Sequence, residues 1–514
     1  MRVRNSYLLA ALSGVLLLLS FPPFRFGGFL AWIALVPLLI AIYYQPQVKS
    51  IGRLASVAGL GLLPILIFSA PWLRDLLSRE ITSIAGLAWP GFILGSFLAL
   101  FMAMGIIETF SDHWRPKHLP SKSSQYFLER HSGLQIFVLP VAWTAIVFLF
   151  MNVPGVMRIG GAFGFFSIAK TQWLTPPILQ LASFTGMYGV TFLILLVNCA
   201  IAYGIVHYQE TRRISKQAVA VLLVFVLVLA YGLISVPERV EGDINVAIIQ
   251  TPLTEEENLP DTYRSLTEKS LKYEPRIVMW PTSTFVKLSV ETLVDFSKEQ
   301  QIYLADGDAL VYPDGKIEHH NFGYHFISLP EQISSGDIYH VFFPEIYGFD
   351  TDLGKVGVTD CIESASTLPA NDLAKQGVEF LIVPTGSPND YLFSWVLGSN
   401  AIYRAVEHRI YAASVIGDYT GSMIIDPYGR IIDDIAPEEE IVAGKIAFTD
   451  QKTFYSKYGD IFGWLIAGLA IILWGYNSYL KRKSPFTYCS RCRAQIPKEV
   501  RGCPQCGKGA KKQP

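Results

Sequence analysis

The stretch GVTDCIES, residues 357–364, decides how the rest of this chain is read. Its apolar half belongs to a short run, KVGVTDCI (355–362), that reads as a buried strand with Cys361 at its end. An α/β sandwich usually carries a nucleophile at such a strand end. Working outward, INVAIIQ (244–250), RIVMWP (276–281), IYLADGDAL (302–310) and EFLIVP (379–384) have the same texture. Helical stretches at 263–273, 290–301, 370–376 and 395–407 lie between several of them. Strands alternating with helices predict an α/β layer architecture rather than an all-β one. IYAASVIG (410–417), GSMIIDPYGRIID (421–433) and IVAGKIAF (441–448) read as further strands joined by tight turns, one of them at Pro427-Tyr428-Gly429.

Outside that polar region the chain is different. Over 514 residues it is 51% hydrophobic, with a mean hydropathy of +0.34, too apolar for a soluble protein. Apolar runs fall at 7–22, 28–44, 52–72, 83–109, 134–152, 178–206 and 217–236, with an eighth at 461–480. Each can form a helix of roughly 20 residues, enough to cross about 30 Å of hydrocarbon. The first lacks a small-x-small cleavage site and is read as an uncleaved span. Lys49, Arg53, Arg115, Lys117, Lys122, Arg130, Arg212, Arg213 and Lys216 fall in one set of alternate loops, joined by Lys481, Arg482 and Lys483. The opposite loops carry Arg25, Arg74, Arg79, Arg158 and Lys170. The positive-inside rule then places both termini in the cytoplasm of a multi-pass cell-membrane protein. The expected division is a seven-helix bundle at 1–236, an extracytoplasmic α/β domain at 237–458, an eighth helix at 459–483 and a cytoplasmic tail at 484–514. The lipid bilayer is one partner. A net charge of −1 gives no overall basic field for nucleic acid.

The tail carries its own signal. Cys489-x-x-Cys492 and Cys503-x-x-Cys506 form two knuckles ten residues apart, with Pro504 and Gly507 shaping the second. Four thiolates so spaced predict a tetrahedral structural Zn²⁺ site in a small ribbon, and zinc supplies the folding energy that so short a segment lacks. Disulfides are the alternative, disfavoured by a reducing compartment. Arg491, Arg493, Lys498, Arg501 and Lys508 surround the knuckles.

LSFPPFRFGGFLAWIALVPLL (19–39) resembles the opening of the apolipoprotein N-acyltransferases. The similarity continues through PPILQLASFTGMYGVTFLILLVN (176–198), NVAIIQ, the W-P of MWPTS, DCIES, IYRAVEHR (402–409), TGSMIIDPYGR (420–430) and YSKYGD (455–460), in order. The resemblance implies a membrane bundle of eight helices carrying a nitrilase-like (CN-hydrolase) αββα sandwich. It also implies acyl transfer for lipoprotein biosynthesis: a cysteine takes an acyl chain from a phospholipid as a thioester and passes it to the α-amino group of a diacylated lipoprotein. Such a thiol needs a base to take its proton and a positive or hydrogen-bonding group for the oxyanion. Cys361 matches the family's nucleophile, and Glu363 matches a glutamate two residues beyond it as an auxiliary group. No cofactor is implied for catalysis.

The chain departs from that pattern at two positions. The family's W-P-E carries its glutamate base, and here the motif is Trp280-Pro281-Thr282. The family's lysine-bearing segment best matches GDIYHVFFPEIYGF (336–349), which puts Tyr339 at the lysine position with His340 beside it as a possible substitute. Losing a general base costs about two to four orders of magnitude, and losing the charged partner roughly two to three. Whether the chain is an enzyme is therefore open on sequence: an impaired acyltransferase, or a silent relative that binds lipid or lipoprotein as scaffold or sensor. Each residue also has a plain structural reading: Cys361 as an inert buried thiol, Glu363 as a hydrogen-bond acceptor, His340 as a solvated loop residue. Arg404 and Glu407 read as a structural helix pair, and Cys199 as packing in a membrane helix.

Overall fold

Strands that alternate side chains between two faces can bury both faces only if each sheet is covered twice. The computed structural model of the chain shows how this is done. It describes residues 3–43, 134–152, 167–238, 240, 242–250, 259–282, 290–320, 346–360, 363–386, 391–417, 421–434, 440–449, 451–483, 486–488 and 495–497. Apolar helices come first: α1 (Val3–Leu18), α2 (Val36–Tyr43), α3 (Val138–Asn152), α4 (Ala182–Thr211) and α5 (Lys216–Ser235). The polar part opens with β1 (Ile244–Ile249), α6 (Leu259–Ser270), β2 (Ile277–Met279), α7 (Val290–Gln300), β3 (Tyr303–Ala305), β4 (Ala309–Val311) and β5 (Ile317–His319). It continues with β6 (Phe349–Thr351), β7 (Gly354–Val358), α8 (Leu368–Lys375), β8 (Phe380–Thr385), α9 (Tyr391–His408), β9 (Tyr411–Ile416), β10 (Met423–Ile425), β11 (Ile431–Asp434) and β12 (Ile441–Ile446). The chain then runs through α10 (Phe454–Tyr458), α11 (Ile461–Lys483) and a hairpin of β13 (Phe486–Tyr488) and β14 (Gln495–Pro497).

Two six-stranded sheets form, in the orders β12-β1-β2-β3-β4-β5 and β11-β10-β9-β8-β7-β6. Their facing sides make one apolar core: Val246, Ile248, Ile277 and Met279 from the first meet Val356, Val358, Phe380, Ile382 and Tyr411 from the second. The alternate residues point outward. Ala247, Ile249, Val278 and Trp280 pack under α6 and α7 with Tyr263, Leu266, Leu293 and Phe296. Leu381, Val383, Ala412 and Ile416 pack under α8 and α9, in a cluster continuous with Val141, Phe148 and Tyr188 of the apolar helices. The sandwich is thus αββα, with the bundle lying against one of its two helical faces.

Two expectations change in detail. IYLADGDAL reads as one strand but forms β3 and β4, because the Asp306 carboxylate accepts the amides of Asp308 (2.7 Å) and Ala309 (3.0 Å) and turns the chain. Lys170 is fully buried rather than a loop charge, and its ammonium donates to the Val396 carbonyl at 3.1 Å. The Pro427-Tyr428-Gly429 turn forms as expected, with Gly429 at φ +81° and the Asp426 carboxylate capping it.

Of the eight expected spans, 52–72 and 83–109 lie outside the described residues. Helices occupy the other six, and among the described residues two, α4 and α5, are long and apolar enough to cross a membrane on their own. On α5 the apolar residues Leu223, Leu227 and Ile234 are 59%, 67% and 86% exposed. A helix apolar all round with that much of it uncovered by protein suits lipid, not water.

Candidate active site

The first half of the site comes from the end of β2. Trp280 continues the parallel ladder by donating its amide to Ala305 at 2.7 Å, and its indole N–H reaches the Thr267 hydroxyl of α6 at 3.1 Å. Its ring packs on Tyr263 with centroids 5.2 Å apart. Anchored in this way, the strand end delivers Thr282, whose hydroxyl donates to the Asp360 carboxylate at 2.5 Å. Gly307 makes the approach possible, since a Cβ there would lie 2.4 Å from the Thr282 hydroxyl oxygen.

The second half comes from the end of β7. Thr359 extends the pairing by donating to Ile382 at 3.0 Å. The chain then turns, with the Ser364 amide on the Asp360 carbonyl at 2.9 Å and the Ser366 amide on the Glu363 carbonyl at 3.0 Å. Glu363 is fully buried, and its carboxylate accepts the Asp360 amide at 3.2 Å. Its same oxygen lies 3.4 Å from Nε2 of the buried His320, which follows β5 of the other sheet. Glu363 therefore organises the turn and joins the two sheets at this corner.

The turn is also fastened to the apolar helices. Ser366 donates to the Met151 carbonyl of α3 at 3.0 Å. The Thr367 hydroxyl lies 2.7 Å from Asn152 and 2.8 Å from Asp460, the residue just before α11. Asn371 and Tyr455 hold the same Asp460 carboxylate at 2.9 and 2.5 Å. Behind the turn, Asn400 of α9 donates to Ser364 at 2.9 Å.

Arg404 and Glu407 form the expected helix pair, at 2.9 Å and with side-chain exposures of 1% and 0%. The angle of that contact is not a hydrogen bond's, but the other Glu407 oxygen accepts the Met187 amide of α4 at 2.8 Å. Burial pushes the Glu407 carboxyl up to about 7, against the pull of Arg404. This pair serves the seam between sandwich and bundle. Cys199 is buried in α4, as expected of packing.

Among the residues singled out in the sequence, the structure brings Thr282 and Glu363 to one corner, on either side of Asp360. Cys361, Tyr339 and His340 lie outside the described residues, as do Cys489, Cys492, Cys503 and Cys506. Asp360 and His320 were missed. The signal available for Asp360 was its place in the motif: an acid directly before the cysteine, in a chain whose expected acid is absent.

Two family models match in tandem: the apolipoprotein N-acyltransferase N-terminal domain over residues 13–200 and the carbon-nitrogen hydrolase over residues 286–452. The apolipoprotein N-acyltransferase of Geobacter metallireducens is 26% identical over 537 residues, covering 91% of this chain and 95% of the relative. That of Thermotoga maritima is 26% identical over 504 residues, covering 91% and 93%. Among solved structures, Nit3 of Saccharomyces cerevisiae, from branch 10 of the nitrilase superfamily, is 18% identical, with a TM-score of 0.30 and coverage of 44% of this chain and 97% of that one. With both domain models in sequence order and relatives matched nearly end to end, this chain belongs to the apolipoprotein N-acyltransferase family.

Proposed function

We propose that this chain is an integral membrane N-acyltransferase. It would take an acyl group from a phospholipid onto Cys361 as a thioester and pass it to the α-amino group of a diacylated lipoprotein cysteine. The observation that carries this reading is the built corner: Thr282 and Asp360 meet at 2.5 Å beside the cysteine position, on a turn braced by Glu363. A chain that had dropped the chemistry altogether had no need to keep these strand ends in register. The rate is reduced relative to a site with a carboxylate at 282 and an ammonium at 339. The test compares wild type with Cys361→Ala, using a phospholipid donor and a diacylated lipopeptide acceptor. Thioester on Cys361 and product that vanishes in the alanine variant support the reading. Neither in wild type leaves the silent, lipid-holding relative, which Thr282 favours, since a hydroxyl that donates to Asp360 accepts no proton at neutral pH.

The same reading includes an eight-helix bundle in the cell membrane, with residues 237–458 outside and the tail inside, supported by the charge asymmetry of the loops and the uncovered apolar face of α5. Labelling from outside at an engineered Ser484→Cys sinks that orientation. For the tail we propose one structural Zn²⁺ held by Cys489, Cys492, Cys503 and Cys506. β13 pairs β14 with Tyr488 opposite Gln495, so the segment joining them contains the first knuckle. Metal analysis of the full chain is expected to show one zinc per chain, lost in Cys503→Ser.

A further inference from the structure

We propose that α10 is an interfacial anchor, with Phe454 and Tyr458 set among the lipid headgroups of the outer leaflet so that the sandwich is seated on the membrane. This seat rests on the membrane-bundle reading of the chain and deepens it, because it gives the polar domain its own contact with lipid. α10 is short but firmly built. The Thr453 hydroxyl accepts the Ser456 amide at 2.8 Å in a capping box and donates to the Glu407 carbonyl of α9. Tyr455 points inward, is fully buried and holds Asp460. With that side fixed, Phe454 and Tyr458 stand one turn apart on another, 45% and 52% exposed. Their ring centroids are 4.6 Å apart, Phe454 lies 6.2 Å from Phe184 of α4, and Phe184 lies 5.6 Å from Tyr231 of α5. Phe184 and Tyr231 are exposed as well, so four rings from three helices form one uncovered ledge.

Place and chemistry say what covers the ledge. It runs on into the exposed Leu233 and Ile234 of α5 and the exposed Ile461, Trp464 and Leu465 of α11, the apolar surface that suits lipid. Aromatic rings with a polar edge favour the boundary between hydrocarbon and water. The exposed Lys457 ammonium lies 5.3 Å over the Tyr458 ring, where a lipid phosphate would meet it. The span agrees: at about 1.5 Å per residue, Tyr203 and Tyr208 lie roughly 28 and 36 Å along α4 from Phe184, and so bracket a hydrocarbon layer of about 30 Å. On its inner side α10 reaches Asp460, which also receives Thr367 and Asn371 from the segment after β7. The turn of the candidate site is thus tied to the headgroup layer through one short helix.

The test is photocrosslinking of the full chain in phosphatidylcholine nanodiscs, with p-benzoylphenylalanine put in place of one residue at a time and adducts read by mass spectrometry. Two further positions calibrate it. Leu227 of α5 reports on the bundle, and the exposed Tyr273 just beyond α6 reports on the solvent side of the sandwich. Lipid adducts are expected at Phe454 and Tyr458 as at Leu227, with none at Tyr273. Adducts at Leu227 with Phe454 or Tyr458 unlabelled overturn the anchor and leave the bundle standing. A crosslink from Phe454 or Tyr458 to a second copy of the chain instead of lipid overturns it in favour of a dimer face. Lipid on Tyr273 as well overturns it, because the contact is then not confined to the ledge. No lipid on Leu227 sinks the membrane reading, and the anchor with it.

Discussion

Helices α6 and α9 cover the two outer faces of one sandwich, yet they are different kinds of helix. On α6 the apolar side meets β1 and β2 through Tyr263 and Leu266, while Arg264 and Glu268 pair at 3.2 Å in water, each about half exposed. On α9 the Arg404–Glu407 pair is shut away from water, and Ser399, Asn400 and His408 are buried with it. The difference lies in what covers the far side: solvent over α6, the apolar helices over α9. A polar group placed on the solvent side costs little. One placed against the bundle must find its partner in protein, so the seam is held by a few matched contacts rather than by area alone.

The comparison is broken most directly at Glu407. Glu407→Ala leaves the Arg404 guanidinium buried with its partner removed, and unfolding in detergent is expected to show a loss of about 3–5 kcal/mol. Arg404→Met with Glu407→Leu is expected to cost less than that single change. A small effect from Glu407→Ala alone means that water reaches the seam. The next largest effect is expected at Gly186, where α4 kinks with φ +63° and a Cβ would lie 2.5 Å from the Tyr455 ring. Gly186→Ala combines backbone strain of about 1–3 kcal/mol with that clash, read as a drop in Tm.

A third effect is graded by pH. Burial first, then Arg404 and Lys375, hold His408 down to about 3 from its usual 6.5. The unfolded chain therefore takes up a proton that the folded one refuses. This contribution is intact above about pH 6.5 and is lost as pH falls towards 3, at about 1.4 kcal/mol per pH unit. His408→Phe, which keeps a ring against Tyr455, is expected to flatten that slope in unfolding measured from pH 7 to pH 5. The smallest effect sharpens the contrast from the other side. Arg264→Ala on α6 is expected to cost no more than about 0.5 kcal/mol, as exposed pairs do; a loss as large as that of Glu407→Ala would mean that α6 is covered too.

What the sequence made legible follows the range of each interaction. Short continuous apolar runs such as INVAIIQ and EFLIVP became β1 and β8 nearly to the residue, and the i, i+3 pair Arg404–Glu407 was readable because both ends lie on one helical face. β5 and β6, three residues each, carry too little pattern to stand out. The contact between Thr282 and Asp360 spans 78 positions and depends on which strands lie side by side in two different sheets. The same is true of His320 with Glu363, 43 positions apart. Motif reading found the absent acid at 282, and only the fold could show that Asp360 lies one hydrogen bond from that position.

The pairing of β1 with β12, Ile244 opposite Ile446, also sets a clock. At about 5–20 residues per second, the ribosome makes β12 roughly 10–40 s after β1. Once β2 has been made, β1 has it on one side and an open edge on the other until β12 arrives, and an open edge accepts any strand offered to it. The first sheet is complete only once the segment that leads into α11 has been made. A nascent chain stopped before residue 441 therefore displays an apolar strand edge for as long as it survives, which makes premature termination an aggregation hazard as well as a loss of function.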